Sequence, residues 1–159
     1  MDSHIADIQL KDEGHQRIDW VARHMPVLNA IGDRFAREQP FRGLRIALSI
    51  HLEAKTAYLA KTLARGGAEL YVSGSNRLST QDSICAALVD DGITVNAIHG
   101  ASQADTIELW KNTLSCHPHV VIDDGSDLIN LLLGDCSAYA DCLLGGCEET
   151  TSGVQRLHG

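Results

Sequence analysis

Four polar stretches carry the side chains able to do chemistry. The first is His51-Leu52-Glu53-Ala54-Lys55-Thr56, and the second is Gly74-Ser75-Asn76-Arg77-Leu78-Ser79-Thr80-Gln81-Asp82. The third is Asp123-Asp124-Gly125-Ser126-Asp127, and the fourth Gly145-Gly146-Cys147-Glu148-Glu149-Thr150-Thr151-Ser152. Carboxylates that share a cleft can be pushed apart in pKa, so that one gives a proton while its neighbour takes one. His51, Glu53, Asp124 and Glu149 are the candidate acids and bases, and Lys55 could hold an anion or act as an electrophile. Each stretch also has a plainer reading. Ser79 or Thr80 would cap one helix and Ser126 another, because short polar side chains satisfy the unpaired N–H groups at a helix start. Glu148 and Glu149 would suit the positive end of a helix beginning near Thr150.

For these stretches to form one site, the segments between them must deliver them to one edge. Ile18, Val21, Met25, Leu28, Ile31 and Phe35 recur at the three- and four-residue spacing of an amphipathic helix. Pro26 should kink or split it, since proline lacks a backbone donor and crowds the preceding turn. Residues 37–43 are punctuation, and 44–50 form a short apolar run expected to be a buried strand. Strands are then expected at 69–73, 94–98, 119–123 and 142–144, with helices at 55–65, 81–90, 104–114 and 127–133 and from about 150. Such alternation implies crossover connections and a parallel sheet covered on both faces. The expected fold is therefore an α/β, doubly wound, Rossmann-like sheet in a single domain over 1–159. A helical region at 1–43 packs outside an α/β core at 44–159. In such a sheet ligands bind beyond the carboxyl ends of the strands, where all four polar stretches fall.

Composition narrows the partners. With 159 residues the chain is long enough for one core, and 13 basic against 21 acidic side chains leave a net charge of −8. That acidity opposes phosphate-backbone binding, and an aromatic content of 4% leaves few stacking platforms, so nucleic acid is not an expected partner. No apolar run is long enough to span a membrane, and the polar N-terminus is not a secretory signal. The five cysteines include no CxxC pair, and the spacing of Cys136, Cys142 and Cys147 fits no compact zinc site. Free thiols in a reducing cytoplasm, with no metal, are the expectation. The Gly-rich dinucleotide fingerprint, the P-loop and the nucleophile elbow are all missing from the sequence.

Four longer motifs carry a resemblance: IADIQLKDEGHQRIDWVARHMPVL near the start, SNRLSTQD at 75–82, VIDDGSDL at 121–128 and EETTSGVQRL at 148–157. In this order and spacing the chain, from Ile5 to Leu157, resembles the substrate-binding part of the S-adenosylhomocysteine hydrolase family. The resemblance implies reversible hydrolysis of S-adenosylhomocysteine to adenosine and homocysteine. In that chemistry, NAD oxidises the ribose 3′-hydroxyl and so acidifies the 4′ proton. By motif, His51 and Asp124 would move protons near the 5′ and 4′ positions, and Glu149 would contact the ribose hydroxyls. Thr56, Asn76, Ser79 and Gln81 match substrate-lining positions. Thr150, Thr151 and Ser152 match the run that contacts NAD, were an NAD domain supplied in trans.

Three departures shape the expectation. The resemblance does not extend to an NAD-binding domain, so no cofactor is expected in this chain alone. The family's His-x-Thr-x-Glu-Thr reads here His51-Leu52-Glu53-Ala54-Lys55-Thr56. Glu53 thus replaces a ribose-bonding threonine, and Lys55 replaces a glutamate that reads the adenine amine; lysine, a donor only, cannot accept from that amine. Ser126 stands where a glycine is usual, a mild change. One reading is a diverged adenosylhomocysteinase-like protein that does not hydrolyse S-adenosylhomocysteine alone. The alternatives are a cofactor-independent acid–base enzyme (elimination, isomerisation or cyclisation) and a fragment of, or non-catalytic partner for, a full-length hydrolase. The expected ligand is a small, nucleoside-like molecule, with a homo-oligomer or full-length homologue as partner. Glu53 and Lys55 are pocket groups or, on the plainer view, solvated surface charges.

Overall fold

A computed structural model describes residues 2–158. The N-terminal apolar stripe forms two helices, α1 (Lys11–Ala22) and α2 (Pro26–Glu38). Pro26 splits the stripe because it occupies the first turn of α2, where an N–H would have no intrahelical partner anyway. Ile18 and Val21 of α1 are buried in the core. Gly14 lets α1 lie directly on a later helix: a Cβ there would come within 1.9 Å of the Ser83 carbonyl oxygen.

Strands and helices then alternate: β1 (Arg45–Ile50), α3 (Ala54–Arg65), β2 (Glu69–Gly74), α4 (Asp82–Asp90), β3 (Thr94–Asn96), α5 (Gln103–Leu114), β4 (Val120–Asp123), α6 (Asp127–Leu133), β5 (Gly145–Glu148) and α7 (Thr151–His158). The sheet is five-stranded and wholly parallel, in the order β3-β2-β1-β4-β5. This is the expected doubly wound, Rossmann-like architecture, and the strand order reverses between β1 and β4. One face packs Leu48, Val72 and Val95 against Ile18, Ala57, Ile84 and Leu88 of α1, α3 and α4. The other packs Ala47 and Val121 against Leu114, Leu128 and Leu132 of α5 and α6. The free side of β3 is covered by the N-terminal segment: His4 N–H donates to Val95 O at 2.8 Å, and Ala97 N–H donates to His4 O at 3.0 Å.

The fifth strand lies three residues later than its expected place. The apolar residues 142–144 precede it, and the strand itself is Gly145-Gly146-Cys147-Glu148, paired residue by residue with Val120 to Asp123. Glycines carry no strand signal, but their backbone groups pair along β4 as well as any others. The correction moves Cys147 and Glu148 out of the loop and into the sheet.

The carboxyl ends of the strands also carry a buried polar row. Asn96, Ser73, Ser49, Asp123 and Glu148 stand in register across all five strands and so point to one face. Ser73 Oγ donates to Asn96 O at 2.8 Å, and Asn96 Nδ2 donates to Thr113 Oγ1 at 3.1 Å. Ser49 Oγ, wholly buried, has no partner among the described residues.

Candidate functional site

The reversal of strand order places the ends of β1 and β4 side by side, and the acid–base residues sit there. His51 follows β1, and its Nδ1 lies 2.6 Å from Ser79 Oγ. Its Nε2 faces Asp124 Oδ2 at 3.6 Å, an ion-pair distance too long for a direct hydrogen bond. Ser75 Oγ donates to the same Asp124 oxygen at 2.8 Å. Hydroxyl, imidazole, carboxylate and hydroxyl thus run in sequence across the ends of β2, β1 and β4. The single Ser79 hydroxyl proton goes either to Asn76 O, at 3.1 Å, or to Nδ1; in the second arrangement the Nε2 proton points at Asp124, the tautomer suited to proton exchange in the space between them.

Asp124 is held in turn by its neighbour. Asp123 is wholly buried and takes two backbone N–H groups, from Asp124 at 3.1 Å and from Ile129 in the first turn of α6 at 3.0 Å. Burial pushes its carboxyl up to about 6 against the pull of those N–H groups, with the charges of Glu148 and Asp127 adding to the rise.

A second compartment opens beside the ends of β1, β4 and β5, on the face of the sheet that α2 and α3 flank. It is a cleft of about 550 Å³ with an apolar wall that includes Met25, Leu28, Leu59 and Ile122 and polar groups from Glu53, Lys55, Thr56 and Glu149. Thr56 is only 8% exposed, yet among the described residues its hydroxyl has no partner. Lys55 Nζ and the Glu149 carboxylate are likewise unpaired among the described residues. Glu53 spends one oxygen on the Lys55 backbone N–H at 3.2 Å, as the N-cap of α3, and keeps the other for the cleft.

The remaining expected residues fall elsewhere. Gln81 accepts from Arg17 Nη1 at 2.9 Å and lines a separate recess with Glu13, Trp20 and Glu53. Asn76 Oδ1 accepts from Leu78 N–H at 2.9 Å, closing the turn after β2. The plain capping readings give way to other duties. Gln81, without a side-chain cap bond to the helix, is the N-cap of α4, while Ser79 lies against His51 and Thr80 Oγ1 donates to Asn76 O. Ser126 makes no cap bond to α6; its backbone is left-handed at φ 64°, and its hydroxyl donates to Gly153 O at 2.8 Å.

Glu148 and Glu149 separate cleanly. Glu148 accepts from Gly125 N–H at 2.8 Å, Ser126 N–H at 2.9 Å, Thr150 N–H at 2.9 Å and Thr150 Oγ1 at 2.7 Å. Partial burial opposes its charge, but these donors outweigh it and hold the carboxyl at about 2. Gly153 is obligatory beside it, since a Cβ would fall 2.2 Å from the Glu148 carboxylate. Two site residues escaped the sequence reading. Ser75 looks like any loop serine, and Asp123 is distinguishable from Asp124 only by strand alternation, which turns one inward and the other to the edge.

Cys85, Cys116 and Cys136 are buried, and burial pushes the first two thiols up to about 12. Among the described residues no group of three potential ligands could hold a metal ion. NAD does not fit these residues by themselves. The turn after β1 has no glycine, and the Glu53 carboxylate occupies the Lys55 N–H in the first turn of α3, where a pyrophosphate would need it free. Thr150 Oγ1 is committed to Glu148, Ser152 Oγ donates to Thr150 Oγ1 at 3.3 Å, and Thr151 is exposed on the outer helix. No helix of the described residues is long and apolar enough to cross a membrane.

A doubly wound sheet with candidate acid–base residues at its switch point and a mixed cleft beside them defines an α/β domain of the Rossmann-like class with a candidate site at its strand ends. The model of the S-adenosyl-L-homocysteine hydrolase family matches residues 2–140, and the chain belongs to that family. It is 48% identical over 153 residues to the S-inosyl-L-homocysteine hydrolase of Methanocaldococcus jannaschii, an alignment covering 96% of this chain and 37% of that protein. It is 44% identical over 155 residues to the protein of the same name in Methanococcus maripaludis, covering 98% and 37%. It is 45% identical over 153 residues to the adenosylhomocysteinase of Pyrococcus abyssi, covering 96% and 36%. The chain thus spans little more than a third of the length of these relatives.

Proposed function

We propose that this chain is the substrate-recognition part of a hydrolase of nucleosyl-homocysteine thioethers, and that its base is a 6-oxopurine, as in S-inosyl-L-homocysteine. The observation that carries the reading is the pair Glu53 and Lys55 on one wall of the cleft, with Lys55 unpaired among the described residues. Adenine offers a 6-amino donor and an N1 acceptor. Hypoxanthine reverses both, with an O6 acceptor and an N1–H donor. A lysine donates to O6 and a carboxylate accepts from N1–H, whereas against adenine each would meet its own kind. Sites built on such hydrogen bonds discriminate strongly, because the wrong base leaves buried polar groups unpaired. This gives the two departures from the family motif one shared purpose.

The other residues take compatible roles. The apolar wall of Met25, Leu28, Leu59 and Ile122 covers the base, Thr56 and Glu149 hold hydroxyls of the sugar, and the His51–Asp124 pair exchanges protons at the carbon bearing sulfur. The test is calorimetric binding of inosine and adenosine. Inosine is expected to bind at least about tenfold more tightly, and Lys55→Glu to erase or invert that preference. Equal or tighter adenosine binding by the unaltered chain would overturn the reading.

A further inference from the structure

The cysteines around β5 do not share one environment. Cys136 is buried and Cys142 half-buried, while Cys147 is exposed. Cys147 stands in β5 opposite Ile122 of β4, and strand alternation turns its side chain to the opposite face from that of Glu148. That is the face of the cleft, which Cys147 and Ile122 line together with Met25, Lys55 and Glu149. The thiol has no partner among the described residues. An exposed thiol alone marks nothing, but this cleft carries a second mark. Thr56, only 8% exposed, lines it with a hydroxyl that has no partner among the described residues. Buried polar groups are as a rule hydrogen-bonded, so such a hydroxyl is completed by a polar group of whatever fills the cleft.

Charge decides what reaches the thiol. Glu53 and Glu149 outnumber the ammonium of Lys55 in the cleft, in a chain of net charge −8. A cleft lined by one sign of charge raises the local concentration of small cations and lowers that of anions. We propose that Cys147 is a modification site for small disulfides that carry an ammonium group, and that the adduct closes the cleft. The Cys147 thiolate attacks one sulfur of the disulfide; a new S–S bond forms as the old one breaks, and the other half departs as a thiolate that takes up the proton Cys147 released. Cys147 is oxidised and the departing half reduced, so the disulfide is the only oxidant needed. A free thiol runs the exchange backwards and reopens the cleft. The bound half's ammonium then shares the cleft with the Glu149 carboxylate and the Thr56 hydroxyl, both unpaired among the described residues. Nothing in this assignment depends on the nucleoside proposed above, and its test uses none.

The 159-residue chain is treated with cystamine or with dithiodiglycolate, disulfides of similar size and opposite charge, at about pH 8.5, where an ordinary thiol ionises. Peptide masses are expected to place the first cysteamine adduct on Cys147. Dithiodiglycolate should react there at least about tenfold more slowly, and about 1 M salt, with a Debye length of roughly 3 Å, should shrink that difference severalfold. Closure is read from the methyl carbon-13 signal of Met25, which lines the cleft and is assigned by its loss in Met25→Leu. Met1 is the only other methionine. The Met25 signal should move as cystamine reacts, return when dithiothreitol is added, and stay still in Cys147→Ser, whereas Cys142→Ser should respond as the unaltered chain does. Any of three results overturns the proposal: a first adduct on Cys142 or on a buried cysteine, a charge preference untouched by salt, or a Met25 signal that does not move when Cys147 is modified.

Discussion

Asp123 and Glu148 are paired across β4 and β5, and their environments push their pKa values in opposite directions. Glu148 is held at about 2, below its ordinary value of 4.5, so the stability it lends is complete above about pH 4.5 and is lost as pH falls toward 2. Asp123 is raised from 3.8 to about 6, so its sign is reversed: stability falls as pH rises from about 4 to about 6, where the buried group must ionise. Urea unfolding across a pH series should resolve the two. Glu148→Gln is expected to remove the acid-side loss and to lower stability at pH 7 by on the order of 1–3 kcal/mol, because its amide N–H groups would face Gly125 or Ser126 N–H. Asp123→Asn should flatten the fall between pH 4 and 6. An unchanged acid limb in Glu148→Gln would remove that residue from its clamping role. The sequence displayed both carboxylates but not their division of labour. That division arises from the burial of Asp123 in the sheet and from donors to Glu148 that include Gly125 and Ser126, more than twenty positions away, which only the folded sheet brings together.

Elements were more legible than side-chain duties where periodicity was strong. α6 falls at 127–133 as expected, and α3 and α5 begin within a residue of their expected starts. Pro26 was readable as a break because proline at a helix start is chemically favoured. β5 was not readable, since Gly145-Gly146 has no strand propensity and its place is set by pairing with Val120 and Val121. The close approach of α1 to α4 was equally hidden, as Gly14 resembles any helical glycine until Ser83 O is found against it. Gly14→Ala would drive a methyl into a backbone carbonyl that cannot rotate away, so a loss of at least about 1–3 kcal/mol is expected in chemical denaturation. An alanine there would otherwise raise helix propensity by roughly 1 kcal/mol, so a stabilised variant would mean that the two helices stand farther apart than described.

At the scale of the whole fold, the candidate binding and proton-transfer residues lie on one edge, and among the described residues the groups there that could meet a dinucleotide are already engaged. Glu53 places a carboxylate on the Lys55 N–H in the first turn of α3, and Thr150 is spent on Glu148. The family chemistry needs the ribose oxidised before the 4′ proton can leave. Proton transfer by His51 and Asp124 then has no acidified carbon to act on when these residues stand alone. Recognition should therefore separate from turnover in the 159-residue chain. With NAD and S-inosyl-L-homocysteine, release of free thiol should not exceed the blank, while calorimetry on the same sample should still register nucleoside binding. Asp124→Asn should leave that binding within about twofold, because the carboxylate faces His51 and Ser75 rather than the cleft lined by Lys55. Thiol release by the chain alone would mean that a hydride acceptor is held here after all, and the loop after β1 would have to rearrange to hold it.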